Sequence, residues 1–257
     1  MLQNYLIWSL KMARKTIILY QGASLINGEP IVALAQSDST NKKTGNMIQT
    51  FILDATVDPL EASRTGKDAS ICGSCPHRGT PNNNDKGQAT NRTCYVTLAH
   101  APLGKYKAYK KGVYGTKTAT LKEIAEFGSL QGVRLGTYGD PCAVPNNTWK
   151  ALTSKALYST AYTHAAINPM PESIMTSTDN LKQSIDAWSR SERTFRVISH
   201  VDQLYKRREI LCPASEEMGK RATCASCKLC GGASVNAKSI AIVAHGTSKR
   251  KAKEIVQ

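Results

Sequence analysis

The chain has 257 residues, of which 41% are apolar and 6% aromatic, and its 34 Lys and Arg against 19 Asp and Glu give a net charge of +15. That apolar content supports a buried core and excludes a wholly disordered chain, and no run of about 18 apolar residues is present to span a membrane. The stretch 1–10 lacks a basic leader and a small-residue cleavage site, so a secretion signal is not expected. Eight cysteines in a chain expected in the reducing cytoplasm are therefore read as metal ligands or reactive thiols rather than disulfides.

Short β-rich runs at 16–20, 30–35 and 47–54 predict three strands, the first two joined as a hairpin around Asn27-Gly28. A Gly-, Asn- and Asp-rich connection over 59–92 is read as a long functional loop. Helices are predicted over 103–114 and 121–127, the second with Leu121, Ile124, Ala125 and Phe127 on one face. Strand and helix then alternate: strand 133–138, helix 147–154, strand 158–163, strand 174–177, helix 181–189, and strands 195–199, 209–212 and 239–244. This alternation predicts an α/β fold, a TIM-like (β/α) barrel, complete or partial, with Cys-rich metal-binding insertions. One domain is expected: 1–58 as N-terminal strands, 59–95 as a Cys-rich loop, 96–211 as β/α units, 212–232 as a four-cysteine site, and 233–257 as the last strand and a basic tail.

Chemically capable side chains stand at the predicted strand ends: Asp140, His164, Asp179, His200, Cys212 and His245. The carboxyl ends of parallel strands converge on one rim, which predicts a common pocket for these groups. Cys212, Cys224, Cys227 and Cys230 carry two overlapping C-x-x-C steps, the spacing that turns successive thiolates toward one metal or cluster. Cys72, Cys75 and Cys94 form a second group, completed by His77 or left with an open position. Alternatively, Cys72 and Cys75 are a redox pair whose pKa is lowered by Arg78. Cys142 is read as a packed thiol.

The positive excess attracts polyanions, with DNA favoured over RNA as the expected partner. Lys105, Lys107, Lys110 and Lys111 interleave with Tyr106 and Tyr109, a pattern that binds phosphates and stacks on bases, while Lys249 and Arg250 begin a second basic cluster.

The order of a CYV cysteine after a Cys-rich loop, then VRLGTYGDP, TAYTH, IMTSTDN, and ILCPAS followed by CASCKLCGG, resembles the phage gene product 88 family. That resemblance implies an architecture and a bacterial host cytoplasm more than a reaction. At greater distance the chain is similar to two barrel superfamilies. Resemblance to tRNA-guanine transglycosylases and their DNA-modifying phage relatives implies a structural zinc on Cys212, Cys224, Cys227 and Cys230. It also implies exchange of guanine for a 7-deazaguanine, with Asp140 and Asp179 as nucleophile and acid and His164 on the base. Their C-x-C-x-x-C spacing is not matched. Resemblance to radical SAM enzymes instead implies a 4Fe-4S cluster on Cys72, Cys75 and Cys94 that binds SAM, followed by a Gly-rich acidic motif at Gly139-Asp140. Here the C-x-x-x-C-x-x-C spacing is not matched. Base exchange is the favoured expectation, with radical chemistry and a non-catalytic zinc protein that binds DNA or RNA as alternatives.

Overall fold

The structure, a computed structural model, describes residues 16–165, 174–231, 237–246 and 248–256. The N-terminal apolar stretch 1–10 lies outside the described residues. Strands β1 (Thr16–Ala23), β2 (Pro30–Gln36) and β3 (Ile48–Asp54) form an antiparallel meander. The predicted hairpin is present, and Gly28 supplies its tight turn with a φ of 82°.

Among the described residues, the named strands from β3 onward pair in parallel. β3 pairs with β4 (Gly132–Tyr138), and β4 with β5 (Tyr158–Thr160). β6 (Tyr162–Thr163) pairs with β7 (Met175–Thr178), β7 with β8 (Thr194–Ile198), and β8 with β10 (Ser239–Val243), which also pairs with the edge strand β9 (Glu209–Leu211). The result is a mixed α/β fold with two five-stranded sheets, ordered β1-β2-β3-β4-β5 and β6-β7-β8-β10-β9. The single strand expected over 158–163 is divided at Ala161, whose carbonyl accepts the Met175 N–H at 3.0 Å. One half of the segment thus completes the first sheet, and the other half begins the second.

The stretch 59–92 is more structured than its composition predicts. α1 (Pro59–Thr65) starts where the Asp58 carboxylate accepts the N–H groups of Leu60 and Glu61, and it stops at Gly66, which takes a left-handed φ of 82°. α2 (Ala69–Cys72) follows immediately. The remaining helices are α3 (Ala101–Lys110), α4 (Leu121–Phe127), α5 (Asn146–Thr153), α6 (Leu181–Ser189), α7 (Cys224–Cys227) and α8 (Lys249–Ile255). On α4 the expected apolar face is narrower than predicted: Ile124 is buried, whereas Leu121 is half exposed.

The main core joins Ile18, Leu34, Ile52, Leu53, Val133 and Leu135 to the buried Trp149, whose indole N–H donates to the Pro141 carbonyl at 2.8 Å. In β8 and β10 the two-residue period divides the sheet faces. Phe195, Val197, Ile240 and Ile242 face a cavity, while Ile198, Ala241 and Val243 pack against Leu204 and Leu211.

Arg196 of β8 and Glu209 of β9 flank β10 and meet in a two-bonded ion pair at 2.8 and 2.6 Å, with both side chains almost wholly buried. Removing one partner leaves the other charge buried without compensation. Glu209→Ala is therefore expected to cost about 3–5 kcal/mol in urea unfolding, and Glu209→Gln less, because it keeps a hydrogen-bond acceptor. A loss below about 1 kcal/mol for Glu209→Ala would show that the pair is solvated.

Candidate metal centre

A cavity of about 730 Å3 opens along the inner sheet face, and both cysteine groups line it. Cys72, Cys75 and Cys94 come from the segment between β3 and β4, and Cys212, Cys224, Cys227 and Cys230 from the segment between β9 and β10. All eight cysteines are free thiols.

The first group is assembled by backbone hydrogen bonds. Cys72 ends α2, and Cys75 precedes a short 3-10 turn, Pro76–Arg78. The N–H groups of Thr93 and Cys94 both donate to the His77 carbonyl, at 3.1 and 3.0 Å, bringing Cys94 to the Cys75 turn. Gly79 is required here: a Cβ would lie 2.4 Å from the Thr90 carbonyl, and its φ is 81°. Burial pushes the Cys72 and Cys94 thiols up. The lowering by Arg78 expected from the sequence is thus reversed at Cys72. Arg78 is turned away into bonds with Asp68, at 2.6 and 3.0 Å, and with the carbonyls of Gly66 and Gly73. Thiols held neutral in this way ionise when a metal displaces the proton.

Beside this group sit His77, His164 and Asp179. Among the described residues, these form the one set of three donors whose ligand atoms lie within 4.8 Å of one another, and they could hold a metal ion. Asp179 Oδ1 lies 3.0 Å from His77 Nε2 and 3.3 Å from His164 Nε2, and Thr93 Oγ1 fixes the other nitrogen of His77 at 2.8 Å. Burial opposes a charge on His164, but its hydrogen bonds to Asp179 and Cys75 prevail and raise its pKa to about 10. Burial likewise works against the Asp179 carboxylate, and the two imidazoles overcome it, holding its pKa well below the usual carboxylate range.

The second group docks on the opposite end of the chain. The N–H of Cys224 donates to the Lys43 carbonyl and that of Ala225 to the Thr44 carbonyl, both at 3.0 Å. Gly45 permits this approach, since a Cβ there would lie 2.9 Å from the Ala225 Cβ. Thr223 and Ser226 cap α7 reciprocally, and Lys228 closes it in a left-handed conformation that turns the chain toward Cys230. Arg193 clasps the far side of the loop, donating to the carbonyls of Leu229, Gly231 and Lys238. Burial drives Cys230 up to about 12, against a hydrogen bond with Tyr162. Cys212, which donates its N–H to the Ala241 carbonyl, is also raised by burial.

Of the six strand-end side chains, Asp140, His164, Cys212 and His245 line the cavity, and Asp179 reaches its edge through His164. His200 does not join them. It is exposed, because Gln203 Oε1 accepts both the N–H and the hydroxyl of Ser199 and pulls the chain into a 3-10 turn away from the strand end. The Asp140 carboxylate accepts from the N–H groups of Cys142, His164 and Ala165 and from the Thr163 hydroxyl, so its oxygens are taken up internally. Cys142 is buried, with its Sγ 3.2 Å from the Thr163 hydroxyl oxygen.

On α3, Tyr106 and Tyr109 are docked rather than presented: their hydroxyls bind the Thr56 carbonyl and the Gln21 side chain at 3.0 and 2.9 Å. Lys105 reaches Thr16 and lies over the Tyr114 ring. Lys107, Lys110 and Lys111, with Lys249 and Arg250 on α8, are exposed. Residues that sequence reasoning missed include Lys43, Arg134, Tyr95 and Tyr162, all lining the same cavity. Arg134 had one signal, a cation inside an otherwise apolar strand; Lys43, in a polar loop, had none.

No family model, no curated protein and no solved structure matches this chain.

The His164 and Asp179 shifts set a pH window for the metal-free protein. Raised His164 contributes stability fully below its unfolded pKa of about 6.5, and that contribution is lost as pH rises toward about 10. Lowered Asp179 contributes above its unfolded pKa of about 3.9 and loses that contribution as pH falls. Urea unfolding across pH should show this alkaline decline in the native chain. Asp179→Ala should flatten it and cost about 3–5 kcal/mol at neutral pH; an unchanged profile would dissociate the titration from this pair.

Proposed function

We propose that the protein is an iron–sulfur enzyme of the radical type. In this reading Cys72, Cys75 and Cys94 hold a 4Fe-4S cluster with one open iron for SAM, and Cys212, Cys224, Cys227 and Cys230 hold a second, fully ligated centre. The observation that carries it is that a three-thiol group and a four-thiol group open onto one cavity. Three thiolates leave a cubane iron free to bind a ligand, whereas four saturate either a cubane or a zinc ion. Topology supports the same reading. Parallel strands β3, β4, β5–β6, β7, β8 and β10 follow in chain order, as in a partial barrel, with the first cysteine group after β3 and Gly139-Asp140 after β4.

The bound cluster would supply an electron at low potential to the ligand on its open iron. The chain's own residues position and shield. Asp179 holds His164, which hydrogen-bonds Cys75, so the imidazole orients one thiol of the open group. Phe195, Val197, Ile240 and Ile242 give the cavity an apolar wall that limits access of water to reactive species. Base exchange draws less support. It needs a free carboxylate nucleophile, and Asp140 is saturated by four donors while Asp179 lies between two imidazoles.

Anaerobic purification should yield a brown protein with iron and sulfide, about four irons per group if both hold cubanes, and reductant-dependent cleavage of SAM. Cys75→Ser should abolish cleavage while retaining the metal of the second group, and Cys227→Ser should lower total metal while retaining the first cluster's spectrum. Zinc without sulfide would overturn this reading and leave base exchange and a non-catalytic zinc protein that binds nucleic acid as the alternatives.

A further inference from the structure

Beside the four-thiol group the cavity wall carries two cations, Arg134 and Lys43, with Cys212, Cys224, Cys230 and, near Lys43, Glu217 as the acidic groups around them. Arg134, on β4, is 8% exposed, and among the described residues its Nε has no hydrogen-bond partner. Its Nη2 donates to the Tyr95 hydroxyl at 2.6 Å, and its guanidinium lies over the Tyr162 ring. Lys43 Nζ meets His245 Nε2 at 3.0 Å, and the His245 ring lies against Tyr95 with centroids 5.6 Å apart. Among the described residues neither cation belongs to an ion pair.

A buried guanidinium with an unused donor is costly unless something occupies it. The thiols are the competing sink, Cys224 above all, since it faces both cations, while Cys230 has the Tyr162 hydroxyl and Cys212 the Ala214 N–H as donors of their own. From these contacts we infer that Arg134 and Lys43 form an oxyanion clamp that holds the carboxylate or phosphate of a small organic substrate. Arg134 offers planar donors suited to two oxygens of one group, and Lys43 adds a point charge. The substrate's body would lie along the apolar face of Phe195, Val197, Ile240 and Ile242. A cavity of about 730 Å3 is of ordinary size for a small-molecule site. The clamp rests on the cavity being the reaction site, as proposed above, and not on which metal the thiols hold.

The test is titration calorimetry on the full chain in its metal-loaded form, with inorganic phosphate, a nucleoside monophosphate and benzoate as probes. Metal and sulfide content are measured on the same samples. Saturable binding is expected, weakened about 10- to 100-fold by Arg134→Met and by Lys43→Met, with metal content unchanged. Arg134→Lys should recover part of the affinity, which distinguishes lost charge from lost fold. Preference for the nucleoside monophosphate or for benzoate identifies the anion as phosphate or carboxylate. Absence of binding to the native chain would overturn the clamp. So would variants that lose metal or change its spectrum while binding anions as before, which would make the two cations counter-charges of the four-thiol centre. Zinc in place of iron, with anion binding intact, would sink the radical reading and leave the clamp standing.

Discussion

The carboxylate and backbone of Asp140 form the tie on which the site's geometry depends. Its N–H donates to the Ile71 carbonyl at 2.6 Å, fixing the residue next to Cys72 against the end of β4. Its carboxylate gathers the N–H groups of Cys142, His164 and Ala165 and the Thr163 hydroxyl. One residue thus sets the first cysteine group, the end of β4 and the imidazole beside Cys75 in a single frame. Burial pushes its carboxyl pKa up, and the four donors oppose that shift by solvating the anion from within. Charge-assisted bonds to backbone N–H groups are stronger than neutral ones, which suits the residue to alignment.

The frame has a second member in Asp179, which spaces His77 and His164 and so determines which face of His164 meets Cys75. Together the two aspartates fix the side chains that line the cavity, as outer hydrogen-bonding partners do for the ligand residues of metal proteins. Burial raises the Cys72, Cys94 and Cys230 thiols, which favours their protonated form; any metal bound through them would have to displace protons.

Much of the fold was legible in the sequence because apolar periodicity is strong in this chain. Helix 181–189 and helix 121–127 match α6 and α4 at both ends, and the hairpin at Asn27-Gly28 forms as its turn chemistry requires. The segment 59–92 was misread because its Gly, Asn and Asp content conceals a capped helix: Asp58, Pro59 and Gly66 are helix punctuation as much as loop composition. The division at Ala161 was invisible, since a strand that changes partners keeps its local pattern. For the site, cysteine spacing pointed to two thiol-bearing segments that line one cavity, although the three-donor set that could hold a metal is His77, His164 and Asp179, and strand-end position drew attention to Asp140, His164 and Asp179. The Tyr95, Arg134, Lys43 and His245 wall depends on long-range pairings that one sequence does not display, and only His245 carried a signal of its own.

The docking of Cys224 and Ala225 on the carbonyls of Lys43 and Thr44 has a consequence for biogenesis. The loop that receives α7 is synthesised well before α7 and the strand β10 that follows it. During translation the residues of the first thiol group emerge long before the wall opposite them exists. The cavity therefore cannot close until α7 has been made, and until then the thiols of the first group are not enclosed by it.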